Sequence, residues 1–313
     1  GLKIIQSKGG LMRESPKQHT ITVDGCDLVV FEWMGQSQET QQVLLVHATG
    51  FHARCWDQVV ALLPEEWQIF AVDMRGHGRS ANVTPYTWQR FGDDLLHVCD
   101  ALQLSNAIGV GHSMGGHCVT HSCGHNESFF RQLLLIDPVI MDPQLYQSSV
   151  RHQYADVSEH PIARRRRHFA DAQAMFDRYA ERSPYALWDP RVFRDYCDFG
   201  VVPCQTDDVM ELACPPEVEA SIYMGNFDSN LYDLIPNIET PVVVLRAKPR
   251  DPESQDMDFT ASPTWPELAD QFANAQDVYL PELTHFIPMQ DPQLVAEFII
   301  AAADVQPLQH SAE

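Results

Sequence analysis

Positive charge is what this sequence has least of. Against 43 acidic residues it carries 21 lysines and arginines, for a formal net charge of −22. A surface that acidic repels phosphate backbones and anionic lipid, so nucleic acid and membrane-surface partners are not expected. Long apolar runs are missing too. None approaches the ~18 residues of a membrane span, and no apolar h-region follows the amino-terminal lysines, so no secretory signal is expected there. None of the eight cysteines forms a C-x-x-C pair. In a chain of 313 residues this reads as reduced thiols in a cytoplasmic protein, without a disulfide framework. Internal repeats and low-complexity segments are absent. With 44% hydrophobic residues the chain can build a sizeable core, as a monomer or homodimer.

What the sequence does contain is organised around Gly111-His112-Ser113-Met114-Gly115-Gly116. The apolar run Ala107-Ile108-Gly109-Val110 precedes it, and a stretch reading as helix, from Met114 to about Gly124, follows. Strand, tight turn with a serine at its apex, then helix is the setting a G-x-S-x-G nucleophile requires. Apolar runs at 43–46, 69–73, 132–136, 241–245 and 278–280 read as strands. Residues 18–24 and 26–34 read as a hairpin turned at Asp24-Gly25. Helical spacing marks 54–63, 87–102, 265–273 and 292–302. Strands alternating with helices predict an α/β fold with a mostly parallel sheet. Between residues 141 and 236 no buried strand is evident. This block is expected to be an all-helical insertion over the carboxyl edge of the sheet, with helices near 158–182, 189–199 and 216–224.

A serine hydroxyl needs a base, and the base needs a carboxylate to fix its tautomer. His285, in a loop after the last strand, is the best-placed base. Two acids compete. Asp137 ends the strand after the Ser113 helix, and Asp251 lies in the loop after the next strand, near Asp256 and Asp258. The oxyanion of an acyl-transfer intermediate needs two aimed N–H donors, for which the backbones of Met114 and Thr49 are the candidates.

The segments His47-Ala48-Thr49-Gly50-Phe51, Asp73-Met74-Arg75-Gly76-His77-Gly78-Arg79-Ser80, Gly111 to Gly116, and His285-Phe286-Ile287-Pro288-Met289 stand in the order and spacing of the α/β-hydrolase superfamily, which this chain resembles over roughly 20–140 and 237–304. The resemblance implies an eight-stranded, mostly parallel sheet, with a core of 1–140 and 237–313 and a helical cap of 141–236 between strands six and seven. It also implies a serine nucleophile, catalytic histidine and acid. Two departures stand out: His47-Ala48 replaces the usual His-Gly, and the loop after strand seven is extended. The expected activity is ester hydrolysis of small to medium apolar substrates, with Phe51, His112, Trp188 and Phe286 binding the substrate and no metal or organic cofactor. A carbon–carbon bond hydrolase or lactonase using the same residues is the alternative, and a ligand receptor a further one.

Other features read as structural. His117, His121 and His125 form an i, i+4, i+8 stripe, but the glutamate of H-E-x-x-H is absent, so no zinc site is expected. Arg75 to Ser80 lacks the G-K-[ST] of a phosphate loop. Arg164 to Arg167 read as a solvated, ion-paired helix face. Of the aromatics at 146, 154, 188, 193, 196, 199, 223 and 232, most are expected in the cap core, with about a third facing the substrate.

Overall fold

The computed structural model describes residues 13–35, 40–147, 154–256 and 258–309. The amino-terminal lysines, parts of the expected cap and the last residues of the tail lie outside this set. The strands are β1 (Lys17–Val23), β2 (Cys26–Trp33), β3 (Gln42–Val46), β4 (Gln68–Val72), β5 (Ala107–His112), β6 (Phe130–Ile136), β7 (His168–Phe169), β8 (Val201–Pro203), β9 (Met210–Leu212), β10 (Val242–Ala247) and β11 (Ala275–Leu280). The helices are α1 (Asp57–Val60), α2 (Trp88–Ala101), α3 (Met114–His125), α4 (Pro143–Tyr146), α5 (Ala172–Tyr179), α6 (Pro190–Phe199), α7 (Pro216–Met224), α8 (Ile287–Gln290) and α9 (Pro292–Ala302).

Eight strands form one sheet in the order β1-β2-β4-β3-β5-β6-β10-β11. The β1–β2 hairpin turns at Asp24 and Gly25, both at positive φ, and β2 joins β4 antiparallel. Every later neighbour is parallel. The chain leaves β3 for β4 on one side and comes back to β5 on the other. The carboxyl ends of β3 and β5 therefore face a topological switch point, where ligands of open α/β sheets bind.

The continuous apolar runs are explained by burial on both faces. On one face Leu44, Phe70 and Leu135 pack against Trp88, Phe91 and Leu95 of α2 and Met114 and Cys118 of α3. On the other, Val43, Ile69 and Val110 pack against Val59 and Val60 of α1 and Val295 and Ile299 of α9. Burying each such side chain contributes roughly 1.5–3 kcal/mol. Helix α2 begins where the Thr87 side chain accepts the Arg90 N–H at 3.2 Å. Asp291 caps α9 in the same way through the Leu294 N–H, with Pro292 in its first turn.

The insertion between β6 and β10 departs from the all-helical expectation. It carries a second, three-stranded sheet in the order β7-β9-β8. Strands of two and three residues are too short to show an alternating pattern. The helix expected over 158–182 is replaced by single turns at 157–159 and 161–164, then β7, then α5. Local side-chain caps divide it: His160 Nδ1 accepts the Ile162 N–H at 3.1 Å, and Asp171 accepts the Ala174 N–H at 2.8 Å. Arg164 to Arg167 accordingly form no helix face. The helix expected at 54–63 closes at Val60, and the one at 265–273 is a single turn over 268–271. A third cluster joins the insertion to the loops after β3 and β11, with Phe169, Met175, Phe193 and Tyr196 packed around Phe51 and Phe286.

Candidate active site

Ser113 sits between β5 and α3 with φ 58° and ψ −115°, a backbone conformation that costs of order 1–3 kcal/mol for a residue with a side chain. The flanking glycines make the turn possible through close approach. A Cβ on Gly115 would lie 2.1 Å from the Val46 carbonyl oxygen, and one on Gly111 would lie 2.3 Å from that of Gly115. The turn is tied to the next strand by the Ser113 N–H donating to Ile136 O at 3.0 Å.

Ser113 Oγ lies 2.9 Å from His285 Nε2, and His285 Nδ1 lies 2.6 Å from Asp137 Oδ2. The structure thus brings Ser113, His285 and Asp137 together and leaves Asp251 aside. Asp251 is exposed, and its carboxylate accepts the Glu253 N–H within its own loop. Asp256 and Asp258 are exposed as well, and Asp258 holds the N–H and hydroxyl of Thr260. Asp137 is fully buried at a positive φ of 45°. Its Oδ1 accepts the Ala247 N–H at 2.9 Å, the Ser262 hydroxyl at 2.5 Å and the Thr264 hydroxyl at 3.3 Å. These bonds fix the carboxylate's rotation and leave Oδ2 for the imidazole. The backbone of His285 is held at both ends, its N–H donating to Thr260 O at 2.8 Å and its carbonyl accepting from His112 Nε2 at 2.7 Å.

That bond corrects the expectation for His112. It lies beneath the His285 loop, outside the lining of the cavity, and burial together with the neighbouring His285 pushes its imidazole down to about 3. It holds the His285 backbone, which sequence spacing gives no means of reading. Trp188 is also displaced from its expected place. It is buried behind the cavity wall, with its ring 5.7 Å from Phe51 and 5.5 Å from Phe286. Phe51 and Phe286 themselves line the cavity.

The loop after β3 is braced by two buried histidines. His47 Nε2 accepts the Met74 N–H at 2.9 Å, so its Nδ1–H donates to Ala48 O at 2.7 Å. His77 Nε2 accepts the Gly50 N–H at 2.9 Å, so its Nδ1–H donates to Arg75 O at 2.8 Å. Both bonding patterns require neutral rings. Burial pushes His77 down to about 4 and His47 well below the ordinary histidine value. Thr49 is held between these anchors. Among the described residues the N–H groups of Thr49 and Met114 donate to no protein acceptor.

The segment Asp73 to Ser80 is a structural turn. Buried Asp73 accepts the N–H groups of Ala53 and Arg79 at 2.7 and 2.8 Å. Burial raises its carboxyl to about 6. Arg75 forms a buried two-point pair with Asp94 at 2.8 and 3.0 Å. In the histidine stripe, His117 bonds Val139 O and Ser229 Oγ at 3.1 and 3.0 Å.

The cavity over Ser113 has a volume of about 270 Å³. Sequence reasoning missed part of its wall: His160 and Asn226 come from the insertion and Phe259 from the loop after β10, where no motif or period marks them, and Asp258, weighed from the sequence as an acid, lines it too. Of the expected insertion aromatics, Tyr223 lines this cavity.

A family model described as "Alpha/beta hydrolase family" matches residues 43–298. A pimeloyl-[acyl-carrier protein] methyl ester esterase of Vibrio vulnificus is 31% identical over 104 residues, which is 33% of this chain and 39% of that protein. A non-heme chloroperoxidase of Burkholderia pyrrocinia is 30% identical over 100 residues, 31% of this chain and 35% of that protein. The chain thus matches well under half the length of either relative. Among solved structures, that of E-2-(acetamidomethylene)succinate hydrolase superposes with a TM-score of 0.71 at 19% identity, over 92% of this chain and 99% of that one.

Proposed function

Because the chain belongs to the alpha/beta hydrolase family, we propose that it is a serine hydrolase that cleaves carboxylic esters of small to medium size through an acyl-enzyme. The observation that carries this reading is the unbroken line of contacts from Ser113 Oγ through His285 to Asp137, at 2.9 and 2.6 Å. With Nδ1–H donated to Asp137, the unprotonated Nε2 of His285 takes the Ser113 proton as Oγ attacks the ester carbonyl. The N–H groups of Met114 and Thr49 receive the oxyanion. His285 then protonates the leaving alcohol. A water deprotonated by the same nitrogen attacks the acyl-enzyme, and the acid departs as the proton returns to Ser113. The division into a core of 1–140 and 237–313 with a cap of 141–236 belongs to the same proposal, the cap limiting substrate size through His160, Tyr223 and Asn226. The esterase relatives support an ester as the bond cleaved, and Phe51, Trp88, Val139 and Phe286 supply an apolar wall for the substrate.

A fluorophosphonate probe together with p-nitrophenyl acetate tests the reading. Wild-type protein should be labelled and should turn over the ester, and Ser113→Ala should do neither. Wild-type protein that is folded but unlabelled and inactive on a panel of simple esters sinks it.

A further inference from the structure

A second cavity, of about 250 Å³, lies beside the first. The two share Thr49, Phe51, Tyr223, Phe259 and Phe286 and so adjoin along that wall. The aromatic wall continues into the second cavity through Tyr179, Tyr185 and Tyr196. There the lining includes an ion pair, in which Arg165 Nη1 donates to Glu219 Oε1 at 3.0 Å. Arg165 Nη2 donates to the Tyr196 hydroxyl at 3.2 Å. The side chains are 18% and 6% exposed, so the pair is largely removed from bulk water. Arg165 stands in the arginine run expected to be a solvated, ion-paired helix face; it is ion-paired but largely buried.

Both partners retain hydrogen-bonding capacity. A guanidinium has more N–H donors than these bonds use. Among the described residues Glu219 Oε2 accepts no hydrogen bond from protein. The carboxylate is seated against the oxyanion loop itself: a Cβ on Gly50, whose φ is +85°, would lie 2.4 Å from Glu219 Oε1. The pair therefore offers donors and an acceptor side by side while its charges cancel. A carboxylate ligand meets Glu219, an ammonium ligand meets Arg165, and an alkyl ligand strips water from both without replacing its bonds.

We propose that this second cavity is a substrate subsite for a neutral group carrying both an acceptor and a donor, a carboxamide being the simplest. Arg165 donates to its oxygen and Glu219 Oε2 accepts its N–H. The proposal rests on Ser113 being the nucleophile, and it names the far end of the substrate that this nucleophile acts on.

The test uses p-nitrophenyl esters of straight acyl chains of graded length ending in carboxamide, methyl, carboxylate or ammonium groups. At the best length, kcat/KM for the carboxamide should exceed that of each competitor by roughly tenfold or more, since a site built to hydrogen-bond rejects analogues that lack the group. The preference over methyl should collapse to about twofold or less when the pair is replaced together, Arg165→Met with Glu219→Leu, which leaves no buried charge unpartnered. A second arm needs neither turnover nor that variant. Hexanamide should raise the Tm of Ser113→Ala protein, whereas hexanoate and hexylammonium at the same concentration should not. Selectivity for methyl or carboxylate ends overturns the proposal, as does a carboxamide preference that survives the paired replacement or a Tm raised by hexanoate alone. If wild-type protein hydrolyses no ester, it is the proposed function that fails, and the hexanamide arm still decides the subsite.

Discussion

At the scale of single residues, the carboxylate of Asp137 is committed on both oxygens, with Oδ2 to His285 and Oδ1 to Ala247, Ser262 and Thr264. Asp137→Asn cannot keep this pattern, because one amide edge is a donor. It should lower kcat by roughly 10⁴ through the wrong imidazole tautomer, with the fold retained. Asp251→Asn, at an exposed position, should leave both kcat and Tm near wild type. Steady-state kinetics with circular dichroism on the two variants checks this, and a severe loss in Asp251→Asn with little in Asp137→Asn would reverse the assignment. Sequence alone left these aspartates as rivals, because both follow strands that end at the same sheet edge. What separates them is the path of the loop from Ala247 to Thr264, which turns Ser262 and Thr264 onto Asp137 and carries Asp251 into solvent. Ser113 and His285 were legible earlier, since a turn too tight for side chains and a loop between the last strand and last helix leave local marks.

At the scale of elements, the long amphipathic helices and buried strands were readable and the insertion was not. Helix α9 matches its expected range because Asp291-Pro292 starts it and a purely local signal sufficed. The insertion's strands are short, and its turns are set by side-chain caps such as that of His160, so no window of sequence carries enough repeats to show a period. The contact between β3 and α3 makes a sharper demand. An alanine at 115 would drive its Cβ to 2.1 Å from Val46 O and 2.6 Å from Val46 C, atoms of a central strand with no room to withdraw. Gly115→Ala should lose at least about 1–3 kcal/mol and most of the proposed esterase activity, since the turn can relax only by moving Ser113. Denaturant titration and esterase assays of this variant are decisive. Full stability with full activity would show that the two elements are not so closely packed.

At the scale of the whole molecule, buried imidazoles set the response to acid. Burial lowers His47, His52, His77, His112, His117, His121 and His160, with His52, His77 and His117 near 4 and His112 near 3. Unfolded histidines titrate near 6.5. Between that value and the folded ones the unfolded chain therefore binds more protons, and stability falls as pH drops. Each ring contributes of order 1 kcal/mol per pH unit there. Burial raises Asp57, Asp73, Asp195 and Glu219, which act in the opposite sense, but these are fewer. The Tm should therefore drop on going from pH 7.5 to pH 5, and an unchanged or higher value at pH 5 would contradict the balance. The acidic charge, the α/β alternation, the tight turn at Ser113 and the loop that carries His285 were determined by the sequence by itself, because each is written in neighbouring residues or in bulk composition. The contact of His285 with Asp137, the burial of His112 and Trp188 outside the cavity lining, and the pairing of Arg165 with Glu219 were decided only by the tertiary structure. Each of these depends on which distant segments meet across the sheet's carboxyl edge, and that is fixed by the packing of loops whose local sequence carries no period.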